Sequence, residues 1–376
     1  MAKLPKRLTK AATFLAKLAV TGVLIWWVLS GVWWHDHVID ADDVAHRVLD
    51  VRDGQVQVET LGGAVWRSES DFQSAEGQVV RPGMGRVLGR LRAGWFLLAA
   101  AAFCGQLTLM GVRWWYLMRR ESLGVGLWRT VRLMYVGHFF NFFLPGATGG
   151  DVIRAVLVTR HTRGRTVAVA TVLLDRFVGL AGMGFLAGAM ALVTWRFEQT
   201  RRAAGAVGII VAVIVAAALV LFSRRVGRAV GLDKLLARLP RAENFRIAIG
   251  TLRRLPRSPR AAGVVAAMTV GVHLLLTAGI ACLGQALRLT TPVELYLLYV
   301  PVIYILAAVP VSIGGLGLVE GMYVLFFAAG PWADSSAVLA LALLARLTPM
   351  LLSLPGLVFW LSRKAPGASQ SDGATA

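Results

Sequence analysis

The sequence contains only two cysteines, Cys104 and Cys282, and both lie in apolar stretches far apart in the chain. No disulfide framework or cysteine metal set can be built from them. Acids are scarce too: 20 Asp and Glu stand against 40 Lys and Arg, for a net charge of +20. There is no Gly-Lys-Ser/Thr phosphate loop, no His, Asp or Glu spacing suited to a metal, and no nucleophile–base arrangement. No sequence feature indicates nucleotide hydrolysis, no cofactor or metal is expected, and an enzyme is not the first expectation.

What is present is apolar. Hydrophobic residues make up 57% of the 376 and charged residues only 16%. The mean hydropathy is +0.65. That is too apolar for a soluble globule and too evenly spread for a single anchor, so the expected class is an all-α polytopic membrane protein. The basic residues cluster between apolar stretches, where the positive-inside rule and anionic lipid account for them, and nucleic acid is not expected as a partner.

The chain divides by composition. Residues 1–34 hold Lys3, Lys6, Arg7 and Lys10, then an apolar run from Leu18 to Trp34 with Trp26, Trp27, Trp33 and Trp34. These tryptophans read as an interface belt, and the run as an uncleaved first span. Residues 35–92 carry half of all the acids. There, Val56–Thr60 alternates apolar and polar, and Gly62-Gly63 turns into Ala64-Val65-Trp66, which predicts a small β-hairpin in an extracytoplasmic insert. Arg81, Arg86, Arg90 and Arg92 sit awkwardly outside and suggest a short amphipathic helix on the membrane. Residues 93–366 form the main membrane domain, with spans near Ala93–Met118, Thr166–Trp195, Ala203–Phe222, Ala261–Leu287 and Ala337–Leu361. Residues 223–260 are strongly basic and are expected in the cytoplasm, with Leu232–Leu239 as an interfacial helix. Residues 367–376 are expected to be disordered. Counting the first, this makes about six full spans, with both termini cytoplasmic in the inner (plasma) membrane.

Two segments fit no simple span. An apolar stretch over 129–144, shorter than the ~20 residues a span needs, runs into Pro145-Gly146-Ala147-Thr148-Gly149-Gly150-Asp151. The second is Pro310-Val311-Ser312-Ile313-Gly314-Gly315, inside 293–330. Pro removes a backbone donor and Gly opens dihedrals closed to other residues, so both should break helices. Broken backbone survives at membrane depth only when buried in protein or lining a wet cavity. The charge pattern makes each a re-entrant helical hairpin, of opposite orientation. Both share Pro-x-x-x-Gly-Gly, and each is followed by Leu-Leu-x-Arg, at Leu173–Arg176 and Leu343–Arg346. Matching interruptions in two halves point to an inverted repeat with its binding site between them.

The intramembrane ionisable residues are Asp151, Arg154, Asp175, Arg176, Glu320 and Arg346, with Asn141, His138 and His273 as polar neighbours. Each costs at least ~2.5–3.5 kcal/mol at a helix centre and so needs a partner or water. Asp151 and Arg154, at i and i+3, share a helix face, whereas the adjacent Asp175 and Arg176 face different partners. Arg176 and Arg346 are candidates for opposite walls of one cavity, with Asp175 and Glu320 holding them or exchanging a proton. Guanidinium and the backbone N–H groups near Gly149-Gly150 and Gly314-Gly315 suit an anion, a lipid phosphate above all. Acid–Arg pairs that merely lock helices together are the plain alternative.

Three motifs resemble the lysylphosphatidylglycerol synthase transmembrane-region family of flippase-like membrane proteins. They are Asn141-Phe-Phe-Leu-Pro145-Gly-x-x-Gly149-Gly150-Asp151-x-x-Arg154, Leu174-Asp175-Arg176-x-x-Gly179-Leu180, and Pro310-x-Ser312-x-Gly314-Gly315-x-Gly317-x-x-Glu320-Gly321. Together they cover roughly Ala93 to Leu361. The resemblance implies a multispan protein that moves or handles a membrane lipid, an anionic phospholipid or polyprenyl-phosphate-type lipid, through the motif residues and Arg346. The chain departs from the full-length synthase in showing no soluble aminoacyl-transfer domain, so synthesis of a lysyl lipid is not expected. A membrane enzyme or accessory acting on a lipid headgroup, and a structural membrane-interaction protein, stay open, as does homo-oligomerisation.

Overall fold

The computed structural model describes residues 34–362, apart from 43, 61, 74–78, 144–148, 232–241, 309–314, 329–331 and 333–334, together with 19, 23 and 26. The expected first span, the hearts of both breaks with the candidates Pro145, Ser312 and Gly314, the predicted helix at Leu232–Leu239 and the tail lie outside these residues or nearly so.

The insert is a small antiparallel sheet in the order β1-β2-β3-β4: β1 (His37–Ile39), β2 (Ala45–Arg52), β3 (Gln55–Thr60) and β4 (Gly63–Ser68). The predicted hairpin is its β3–β4 half, closed where Thr60 pairs with Gly63 at a φ of +112°. The sequence reading missed the other half. Its turn is Asp53-Gly54, both at positive φ (47° and 75°), between the paired Arg52 and Gln55. Asp-Gly is a preferred pair for such a two-residue turn, so that signal was available. Val38, Val56, Val58 and Phe72 form the sheet's own small core.

The basic stretch after the sheet forms the short helix expected there. Helix α1 (Met84–Gly89) is only six residues long. It buries Met84 and Val87 in the same apolar core as Ile280, Leu283 and Tyr296 and leaves Leu88 exposed on its other face. Arg86 pairs with Asp36, and Asp36 also accepts from the Gly83 N–H at 2.9 Å. The insert is thus fastened to the helical domain through its end.

The helical domain begins with α2 (Ala93–Arg120), followed by α3 (Leu127–Phe143), α4 (Gly149–Val158), α5 (Arg165–Val193) and α6 (Glu198–Phe222). Two short helices, α7 (Arg224–Ala229) and α8 (Ala242–Leu252), lie in the basic region. Then come α9 (Pro259–Ala286), α10 (Val293–Ala307), α11 (Leu318–Phe327), α12 (Ser335–Leu352) and α13 (Pro355–Leu361). Among the described residues, four helical stretches are long and apolar enough to cross a membrane: α2, α5, α9 and the joined α12–α13. A further apolar stretch, Val211–Leu221, lies within α6.

The two interrupted segments are short-armed. Helix α3 has 17 residues and α4 has 10, while α10 has 15 and α11 has 10. At 1.5 Å per residue, the arms of 10 residues are near half the length needed to span a hydrocarbon core. Helices α3 and α4 pack against each other through two glycines. A Cβ on Gly150 would overlap the Gly137 carbonyl, and one on Gly137 would overlap the Arg154 side chain. Small residues at such a crossing let helix backbones approach closely. Asn141 ties the hairpin at its turn by accepting the Gly150 N–H at 2.8 Å. The second break has Gly315 and Gly317 at φ of +71° and +75°, a conformation that glycine adopts freely.

Candidate functional site

One cavity, of about 300 Å³, lies where these elements meet. Met110 and Arg113 reach it from α2, Asn141 from α3, Asp151 and Arg154 from α4, Asp175 and Arg176 from α5, Gly315 from the second break, and Arg346 from α12. The structure therefore brings together charged residues that are up to 233 positions apart in sequence, counted from Arg113 to Arg346. Arg176 and Arg346, expected on opposite walls of one cavity, both line it. Gly317 and Glu320 belong to the start of α11 behind Arg346.

The charges form a chain. Arg113 Nε donates to Asp175 Oδ1 at 2.9 Å, and its Nη2 donates to the Asp175 carbonyl at 3.2 Å. Arg154 Nη1 donates to the other oxygen, Asp175 Oδ2, at 3.3 Å. Arg154 Nη2 in turn lies 3.0 Å from Asp151 Oδ1. Arg176 Nη1 completes the chain with a donation to Asp151 Oδ2 at 2.6 Å. Burial is graded along it: Arg113, Asp175 and Arg154 are 2%, 1% and 3% exposed, Asp151 17% and Arg176 30%. Trp114, fully buried, lies under the Arg154 guanidinium at 4.7 Å and donates its own N–H to Thr171. Stacking on an aromatic face is a favourable way to hold a guanidinium away from water.

Asp151 and Arg154 do pair, and Asp175 and Arg176 do look to different partners, because adjacent helical side chains point about 100° apart. Asp175, however, does not hold Arg176. It holds Arg113 and Arg154, and Asp151 holds Arg176.

Arg113 is the residue the sequence reading overlooked. It sits buried in the apolar α2, about two turns before Arg119 and Arg120 at the helix end, and its Nη1 also donates to Thr269 on α9 at 3.0 Å. An arginine beside a tryptophan inside an apolar span was the available signal.

On the other side, Arg346 Nε donates to Glu320 Oε1, and Arg346 Nη2 donates to the Gly315 carbonyl at 3.0 Å. Glu320 also accepts the Gly317 N–H at 2.8 Å, capping the helix it opens. The two interrupted segments match more closely in structure than in sequence. Asp151 is the third residue of α4 and Glu320 the third of α11. Each holds an arginine of the next long apolar helix, 25 residues on for Arg176 and 26 for Arg346. A carboxylate in the first helical turn is also favoured by the helix dipole.

A site of this kind, charged and enclosed by interrupted and full-length apolar helices, defines a multi-pass membrane protein with a charged cavity among its helices. The particular family follows from the sequence: residues 83–356 match the model of the lysylphosphatidylglycerol synthase TM region, and the chain belongs to that family. The match spans the helical domain from just before α1 to the start of α13 and leaves the sheet outside it. No curated protein and no solved structure matches the chain.

Proposed function

We propose that this protein moves a lipid with an anionic or lipid-phosphate headgroup between membrane leaflets, with the headgroup held in the cavity between the two interrupted segments. The observation that carries the reading is a charge imbalance. Four guanidinium groups, of Arg113, Arg154, Arg176 and Arg346, meet three carboxylates, of Asp151, Asp175 and Glu320. With the histidines neutral, one positive charge is left over among the described residues. An unbalanced charge inside a membrane protein costs several kcal/mol, and an anionic ligand would offset that cost. The remaining lining is apolar, with Met110, Phe142, Met183 and Leu276, which suits the acyl chains of a lipid more than a free anion.

In this reading the two interrupted segments are re-entrant hairpins of opposite orientation, related as an inverted repeat, in the inner membrane. The Arg-rich region 223–260 and both termini face the cytoplasm, as the bias of basic residues would have it. The repeated carboxylate–arginine pairs support the repeat. Membrane lipid is the partner, and the role is transport rather than catalysis.

The test is reconstitution into vesicles carrying a fluorescent anionic phospholipid, with leaflet exchange followed by quenching of the outer leaflet. Protein-dependent exchange is expected, slowed in Arg176→Lys and Arg346→Lys, because an ammonium cannot make the two parallel contacts of a guanidinium. Wild-type exchange in both variants would sink the role given to these arginines. A chemically altered headgroup would instead establish an enzyme.

A further inference from the structure

The two carboxylate–arginine pairs are equivalent by position but not by what each would lose on opening. Asp151 uses both oxygens: Oδ1 lies 3.0 Å from Arg154 and Oδ2 2.6 Å from Arg176. If Arg176 swings away, Asp151 still keeps Arg154, and only Oδ2, in a carboxylate 17% exposed, is left to water. Arg176 is the most exposed of the cavity's arginines, and Asp151 is its ion-pair partner among the described residues. Glu320 is placed differently. It is only 6% exposed and its ion pair among the described residues is Arg346, so opening that pair would leave a buried carboxylate with no cation and only the Gly317 N–H.

We infer that Arg176 is the exchangeable cation of the cavity: a singly charged phosphate headgroup takes the place of Asp151 on Arg176, while Asp151 stays on Arg154 and Glu320 stays on Arg346. The inference rests on reading the cavity as a lipid-headgroup site and sharpens it in two ways. It makes Asp151 a competitor of the ligand, since both seek the same guanidinium. It also names the charge of the ligand. A phosphodiester brings one negative charge and balances the one positive charge left over, whereas a doubly charged terminal phosphate would leave the cavity net negative.

Competition has an unusual sign, and that makes it testable. Asp151→Asn removes the competing charge, leaves Arg154 paired with Asp175, and should bind the ligand more tightly than wild type. The measurement is equilibrium binding of short-chain phosphatidylglycerol to the full-length purified protein in a neutral detergent, with glycerol phosphate as the chain-free arm. Releasing one charge-assisted hydrogen bond from competition predicts a gain of about tenfold in Asp151→Asn, and a smaller one in Glu320→Gln. Arg176→Gln is expected to lose affinity by a similar factor. Its stability should stay near wild type, because Asp151 retains Arg154.

Unchanged or weakened binding in Asp151→Asn would overturn the exchange. Equal gains in Asp151→Asn and Glu320→Gln would reduce it to a general charge effect and overturn the assignment to Arg176. Should Asp151→Asn fail to fold, wild-type affinity in Arg176→Gln overturns it as well. Glycerol phosphate binding as tightly as the lipid would overturn the lipid as source of the phosphate. Wild-type protein that binds neither probe removes the headgroup site itself, which is a different failure from wild-type binding that Asp151→Asn does not improve.

Discussion

Replacing Arg113 by Met tests the buried end of the charge chain. The side chain is 2% exposed and makes three donations, two to Asp175 and one to Thr269. Methionine keeps most of the volume and removes the charge. Breaking a buried ion pair by deleting one partner costs ~3–5 kcal/mol. Here Arg154 remains 3.3 Å from Asp175 Oδ2 and carries part of the load, which puts the expected loss at the low end, about 3 kcal/mol. Asp175→Asn should cost more, about 4 kcal/mol, because it strands Arg113, whose only ion pair among the described residues is Asp175. The double variant should cost less than the sum by about 2 kcal/mol, as expected for directly paired groups. Denaturant-dependent unfolding in detergent or in lipid nanodiscs measures all three. Arg113→Met should also lose anion binding, because it removes the one positive charge in excess. A loss below about 0.5 kcal/mol, or strictly additive costs, would refute the pairing, since surface substitutions fall in that range.

Gly150→Ala should destabilise the α3–α4 hairpin by about 3 kcal/mol, since a Cβ there meets the Gly137 carbonyl, which is backbone and cannot swing aside. Gly263→Ala on α9, where a Cβ meets open space, should be neutral or stabilising by ~0.5–1 kcal/mol, and thermal unfolding of the two variants compares them. In the sheet, Asp40 accepts from His46 and from the Val44 N–H, and these contacts hold its carboxyl below the usual 3.8. A lowered folded-state value means that its contribution is complete above the ordinary value and fades as pH falls through the folded one. Acid titration of the sheet's amide signals should therefore show loosening below that range, reached at higher pH in His46→Ala.

The fold was legible where periodicity and length decide. The predicted spans at Ala93–Met118, Thr166–Trp195, Ala261–Leu287 and Ala337–Leu361 correspond to α2, α5, α9 and α12–α13. Interruption by Pro and Gly marked both short-armed segments, because those residues act locally. The wiring of the site was less legible. Which carboxylate serves which arginine depends on how helices far apart in sequence are rotated, so Asp151 and not Asp175 took Arg176. Arg113 went unread because one arginine near a helix end that already holds Arg119 and Arg120 resembles more of the same flank. Helix α1 was legible as a short helix among its arginines, but only the folded chain shows Met84 and Val87 filling the core.

The central claim is that the cavity holds an anionic lipid headgroup on its arginines, and the lipid retained on gentle purification tests it most directly. Mass spectrometry of the intact protein released from native-membrane nanodiscs should show anionic phospholipid or lipid phosphate enriched over the surrounding membrane. That enrichment should rise in Asp151→Asn and fall in Arg176→Gln. Retained lipid with the composition of the bulk membrane, unchanged by either substitution, would contradict the account and leave the buried charges as locks between helices.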